Sequence, residues 1–187
     1  MSVEEYLELD RSSSDARYEY IDGYAYLMSG GSPQHALIIG NFQGELSRQL
    51  EQNGSPCLAY PADATVWLSE AVYVHPDVVA TCDEHDLVAL DSLRSPKLVV
   101  EVLSPSTEKR DRNTKFDWYR ACKSIQEIVF VRTAHPLVEV YRRQPIHKQW
   151  LLQIYGPGED VELASLKILI PVDVIYRRVA FPENGME

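Results

Sequence analysis

Lys97-Leu98-Val99-Val100-Glu101-Val102-Leu103, with Ser104-Pro105-Ser106-Thr107 behind it, is the stretch that decides the fold. A near-continuous apolar run of this length reads as a strand covered on both faces. Alternation then puts Glu101 on the same face as Val99 and Leu103. A carboxylate in that position is costly unless something pairs with it. A structural ion pair, or a strand end that meets water, would explain it; so would a ligand site.

The run upstream supplies a second acid. Asp77 follows Val74-His75-Pro76 and opens the strand-like Asp77-Val78-Val79-Ala80-Thr81-Cys82. The proline removes a ladder donor, so the strand bends or begins there. If the two strands are neighbours, both carboxylates can converge. Two such charges about 4 Å apart repel by roughly 4 kcal/mol at an effective dielectric near 20. The pair therefore wants a proton or a cation, and hard oxygen ligands suit magnesium or manganese. Taken alone, Asp77 is equally a turn residue at a strand start.

Downstream, a helix of about three turns is expected from near Asp111 to Cys122. Asp111, Lys115 and Tyr119 share one face of it, and helical side chains lean toward the N-terminus, so Lys115 can reach back to the end of the strand. An ammonium there could hold the attacking water or steady a phosphate's developing charge. The bland alternatives are an Asp111 helix cap and a solvated Lys115.

The rest of the chain fills in around this centre. Ser2 and Glu5 have capping-box spacing for a first helix. Residues 18 to 28 form two aromatic-rich runs about Asp22-Gly23, a tight hairpin. Its tyrosines are expected in cross-strand pairs, with substrate stacking as the alternative. Gly30 and Gly31 lack the spacing and lysine of a phosphate loop and read as a turn. Ser32 and Pro33 start a second helix on which Leu37 or Ile38, then Phe42, Leu46 and Leu50 face inward; Asn53-Gly54 ends it. Residues 64 to 68 read as another strand, and Asp83 to Ser95 as a polar connection. After the third helix come a strand at 126 to 131, a hairpin from PLVEVYRR and QWLLQIY, and a short helix near IPVDVIYRRV. The middle order is helix, strand, strand, strand, helix, strand.

Composition bounds the function. A chain of 187 residues fits one domain, 1–187, and 45% apolar with 25% charged residues is ordinary for a globular protein. The formal charge of -10 means that any nucleic-acid surface is local. Basic residues cluster at Lys109, Arg110, Arg112, Lys115, Arg120 and Lys123, and again at Arg142, Arg143, His147 and Lys148. The first group lies beside the proposed site, where a phosphate backbone would pass. No apolar run is long enough to cross a bilayer. The acidic opening MSVEEYLELD and three isolated cysteines, Cys57, Cys82 and Cys122, fit a reducing cytoplasm without disulfides. The five histidines form no HExxH pair, and neither a GxSxG elbow nor a GxGxxG loop follows a strand.

Pro76-Asp77, then EVLSPST at 101 to 107, then Asp111, Lys115 and Tyr119 resemble the Uma family of restriction endonucleases, which is common in cyanobacteria. YEYIDGYAYLMSGGSPQH at 18 to 35, Trp150 and the closing VDVIYRRV match it as well, so the resemblance covers nearly the whole chain. It implies a restriction-endonuclease-like α/β fold of the PD-(D/E)XK nuclease superfamily: a central mixed sheet flanked by helices, with an extra N-terminal hairpin. It further implies magnesium- or manganese-dependent hydrolysis of nucleic acid, DNA before RNA, with a homodimer as one way to cut two strands. By position, Asp77 and Glu101 are the metal-binding acids, and His35, Asp63 and Asp111 are supporting groups. Leu103 stands where the family pattern has lysine, and Lys115 is the candidate replacement. A nuclease-fold protein that binds without cutting is the alternative.

Overall fold

The computed structural model describes residues 1–28, 30–105, 108–145 and 149–181. Helix α1 (Val3–Ser12) begins at the capping box, with Ser2 and Glu5 bonding each other's backbone. Strands β1 (Tyr18–Ile21) and β2 (Tyr24–Leu27) follow, joined by Asp22 and Gly23 at φ 47° and 89°. Positive φ at both central residues is what a tight hairpin turn demands. Helix α2 (Pro33–Gln52) starts at Ser32, whose side chain accepts the His35 N–H, and it buries Ile38, Phe42, Leu46 and Leu50. Each of those four contributes about 1.5–3 kcal/mol relative to exposure. Ile38 takes the inward position and Leu37 faces out.

Strands β3 (Leu58–Pro61), β4 (Val66–Ser69), β5 (Val72–Val74), β6 (Val78–Thr81) and β7 (Pro96–Leu103) come next. Helix α3 (Glu108–Arg110), a π-helical turn (Asp111–Lys115) and helix α4 (Phe116–Ala121) run on as one segment. The chain closes with β8 (Glu127–Arg132), β9 (Val138–Arg143), β10 (Trp150–Tyr155), β11 (Asp160–Leu163), β12 (Ile168–Pro171) and α5 (Val172–Ile175).

The central sheet has six strands in the order β10-β9-β8-β7-β6-β3. Only β7 and β8 run parallel, across the helical connection; the other pairs are antiparallel. Leu98, Val100 and Val102 of β7 face one core with α2, α5 and the β11–β12 ribbon. Val99 and Leu103 face the other with Tyr119, Phe130 and residues of β4 and β5. The strand is therefore covered on both faces, as its composition requires.

Two expectations are corrected. Residues 64 to 68 do not supply the first strand of the central sheet; β4 belongs to a separate four-stranded sheet, β2-β1-β5-β4. The edge position goes to β3, a short half-exposed strand whose sequence carries no clear alternation. That unforeseen strand also changes the cysteines. Because Leu58 pairs with Thr81, the flanking Cys57 and Cys82 come opposite each other and form a disulfide, leaving Cys122 as the free thiol. Among the described residues no helix is long and apolar enough to cross a membrane.

Candidate active site

Register builds the site. Val78 of β6 pairs with Val100 of β7, so one residue further sets Asp77 opposite Glu101, at the end of the pairing. Directly opposed residues of an antiparallel pair share a face. Asp77 Oδ2 accepts the Val102 N–H at 2.6 Å, which fixes the carboxylate to the neighbouring strand.

The helical segment covers Glu101. Lys115 Nζ donates to Glu101 Oε1 at 3.0 Å, and the Tyr119 hydroxyl donates to the same oxygen at 2.5 Å. Asp111 Oδ1 lies 3.7 Å from Lys115 Nζ. The expected shared face of Asp111, Lys115 and Tyr119 is present, with a refinement: Asp111–Lys115 is a π turn in which the Phe116 N–H reaches the Asp111 carbonyl. The wider turn brings residues four apart closer to one line than an α-helix does, and such turns recur at functional sites. Asp111, Lys115 and Tyr119 are buried. The reading of Lys115 as a solvated surface lysine is thereby excluded.

Glu19 of β1 is the site residue the sequence reading missed. It is buried, its Oε1 lies 3.0 Å from Lys115 Nζ, and Arg110 bonds its other oxygen. Its signal was a single charge inside the aromatic run Tyr18-Glu19-Tyr20-Ile21, but the pairing of β1 with β5 that carries it to this cavity was not legible. His75 was missed as well. It is buried beside Glu19, neither ring nitrogen makes a hydrogen bond of good geometry, and Nε2 stands 3.8 Å from Asp10 Oδ2.

His35 clamps the arrangement from α2. Its Nε2 is 2.9 Å from the Val102 carbonyl and 3.4 Å from Asp77 Oδ2. Gly31 packs against this ring: a Cβ there would sit 2.5 Å from His35 Nδ1. The glycine is therefore needed for close approach to the ring. Asp63 is not brought in; it is exposed and pairs loosely with Arg17 at 3.6 Å. Ser106 and Thr107 of the EVLSPST string lie outside the described residues.

The electrostatics follow from crowding. Burial pushes the Glu101 carboxyl up to about 8; Lys115 pulls it down, while Asp77 and Asp111 add to the rise. Burial disfavours the charged Lys115, but Glu101, Glu19 and Asp111 outweigh it and keep the ammonium charged. For Glu19 burial acts upward, and Lys115 and Arg110 more than offset it, leaving a net fall. For His35 burial acts downward, and Asp77 with the Val102 carbonyl more than offsets it, leaving a net rise. Burial lowers His75 against the pull of Asp10 and Glu19.

These groups line a cavity of about 230 Å³ that includes Glu19, His35, His75, Asp77, Glu101 and Lys115. Lys115 and Tyr119 both fall on Glu101 Oε1, so Oε2 is the oxygen left for a ligand. Among the described residues, no three histidine, cysteine or acidic side chains converge on one ion. A hard cation here would draw on Asp77 and Glu101 and fill its other positions with water or substrate, as magnesium commonly does.

The basic clusters are mostly spent inside the fold. Arg112 binds Glu108 and Glu139, Arg142 binds Glu127 and Glu162, and Arg143 binds the Ile125, Arg120 and Cys122 carbonyls. Arg120 lies over Phe116 and near Asp117. The expected phosphate-facing stripe thus shrinks to Lys109, Lys123 and the edge of Arg110; His147 and Lys148 lie outside the described residues.

A crystal structure from Anabaena variabilis, titled as a "putative nuclease belonging to DUF820", superposes with a TM-score of 0.75 over 94% of this chain and 97% of that one. At 16% identity the likeness establishes a shared fold. Two uncharacterized Synechocystis proteins are related in sequence. One is 34% identical over 97% of this chain and 94% of its own, the other 27% identical over 90% and 95%. The chain matches the Uma2 family model from residue 3 to residue 173 and belongs to that family, described as "putative restriction endonuclease".

Proposed function

We propose that this protein is a magnesium- or manganese-dependent endonuclease that hydrolyses phosphodiester bonds, DNA being the substrate class the reading favours. The observation that carries the proposal is the buried Glu101 carboxylate. It sits opposite Asp77 at the floor of a cavity, with a lysine and a tyrosine on one oxygen. A bound divalent ion would supply charge neutralisation and a more acidic water. The chain's own residues do the rest. Asp77, held by the Val102 N–H and His35, and Glu101 through Oε2 present two fixed oxygens. Lys115 keeps its charge in the cavity, where it can hold a phosphate oxygen or orient the attacking water. Glu19, itself bound by Arg110, holds Lys115 as well. Lys115 thus stands in for the lysine that Leu103, buried in the core, cannot provide.

A silent, nucleic-acid-binding descendant is the second reading. The net charge of -10 and Leu103 in place of the motif lysine favour it. The test uses the purified protein with labelled DNA oligonucleotides, in magnesium, manganese or chelator. Wild type is expected to cut only with metal, and Asp77→Ala and Glu101→Ala to fall to the chelator level. Metal-dependent cutting that survives both substitutions would remove these acids from the mechanism; no cutting by wild type would support the silent reading.

A further inference from the structure

The exposed face of β2 lies beside the same cavity, next to Glu19 and Arg110 of its lining. Tyr26 pairs with Glu19, and Tyr24 with Ile21, so both tyrosines stand on the face of β1 that carries Glu19. They are 46% and 68% exposed, and β2 is the open edge of its sheet. The other tyrosine of this hairpin's buried side behaves differently: Tyr20 packs in a core cluster with Tyr6 and Tyr73. Tyr24 and Tyr26 are left without such packing. Arg110, which binds Glu19, lies over the Tyr26 ring at 5.9 Å. Leu27, 65% exposed and paired with Tyr18 on the other face of the hairpin, also lines the cavity. Lys109 is exposed next to Arg110.

From this face we infer that the substrate enters as a single-stranded segment of nucleic acid, two of whose bases stack on Tyr24 and Tyr26. The inference rests on the nuclease reading and names its substrate class. Aromatic rings beside a few cations are how proteins hold unpaired strands without reading sequence. The ring spacing agrees: residues two apart on a strand are separated by about 6.6 Å. That is about twice the 3.4 Å step of a duplex strand, so successive bases reach both rings only when the strand is extended and unstacked. The charge balance agrees too. A long duplex needs many phosphate contacts, whereas the net charge is -10 and Arg112, Arg132, Arg142 and Arg143 are held by partners inside the fold. A short unpaired stretch needs few, and Lys109 and Arg110 lie where they are wanted. Continuity with the cavity then delivers the phosphodiester next to the stacked bases to Glu101 and Asp77.

The experiment measures binding by fluorescence anisotropy in calcium, so that the readout does not depend on cutting. The probes are a twelve-residue oligo-dT, the matching oligo-rU and a duplex of the same length. Wild type is expected to prefer the single strands, and the oligo-dT and oligo-rU arms tell which sugar is favoured. Tyr24→Ala and Tyr26→Ala should each weaken that binding about tenfold, and Tyr→Trp at either position should restore it. Both rings are exposed, so far-ultraviolet circular dichroism should show unchanged folding. Preference for duplex, or unchanged binding in the double alanine variant, would overturn the platform while leaving cleavage through Glu101 intact. Self-association abolished by the alanine variants would also overturn it, by making the face a contact between copies. Absence of binding to every probe would overturn the platform and the nuclease reading together.

Discussion

At the scale of single residues, the site depends on a chain of close contacts that begins at a glycine. His35 reaches the Val102 carbonyl and Asp77 only if its ring can lie against Gly31. Gly31→Ala is therefore expected to destabilise the protein by about 1–3 kcal/mol, as overpacking commonly does. In a chain of this size each kcal/mol lowers the melting temperature by about 2–4 °C. Gly30→Ala is the control, because a Cβ there meets nothing within 4 Å. Thermal unfolding of the two variants should separate them; equal melting temperatures would mean that the histidine is not wedged as described. Part of this chemistry was legible in the sequence. Glu101 stood out as an acid in an apolar strand, Asp77 as an acid on the neighbouring strand, and Lys115 as a helical residue able to reach back to them. Glu19 and His75 were not, because their place is set by long-range pairing of the small sheet. No local pattern reports such pairing.

At the scale of elements, the helical segment over Glu101 is tied to strands β8 and β9 by a buried carboxylate. Glu139 of β9 takes Arg112 from the π turn at 2.7 Å and Arg132 from the end of β8 at 3.0 Å. Phe116, Phe130 and Tyr141 pack beside the pair. Burial acts to raise Glu139, but the two guanidiniums outweigh it and hold its carboxyl below the ordinary value of 4.5. The sign then follows. Stability from this group is fully present above pH 4.5 and is lost as the pH falls toward the depressed value, where the unfolded chain takes up protons first. Glu139→Gln should cost about 1.5–3 kcal/mol at pH 7, the usual worth of hydrogen bonds to a charged group. The gap to wild type should narrow near pH 3. Urea denaturation at both values checks this, and a gap that persists undiminished in acid would contradict it. The helices, the Asp22-Gly23 turn and strands β6 to β10 were readable because caps, glycines and apolar runs are local signals. Strand β3 was not. It is short, half-exposed and without alternation, and missing it also hid the Cys57–Cys82 pairing, which only β3–β6 register creates.

At the scale of the whole molecule, a net charge of -10 coexists with a buried lysine ringed by acids. Part of the positive charge locks elements together, Arg112 and Arg132 at Glu139 and Arg142 at Glu127, while Arg110 and Lys115 line the cavity. An acidic molecule of this kind attracts divalent ions readily and long duplexes poorly. On the proposed function, Asp77 and Glu101 form one cation site. Calorimetric titration of manganese into wild type and Glu101→Gln at pH 8 and pH 6 tests this. Since the Glu101 carboxyl is raised to about 8, the folded protein holds a proton there that the ion must displace. Binding to wild type should therefore be tighter at pH 8 than at pH 6, and it should vanish in the glutamine variant. Manganese binding that is unchanged by Glu101→Gln, or no binding to wild type at either pH, would contradict the account and leave Glu101 as a structural partner of Lys115.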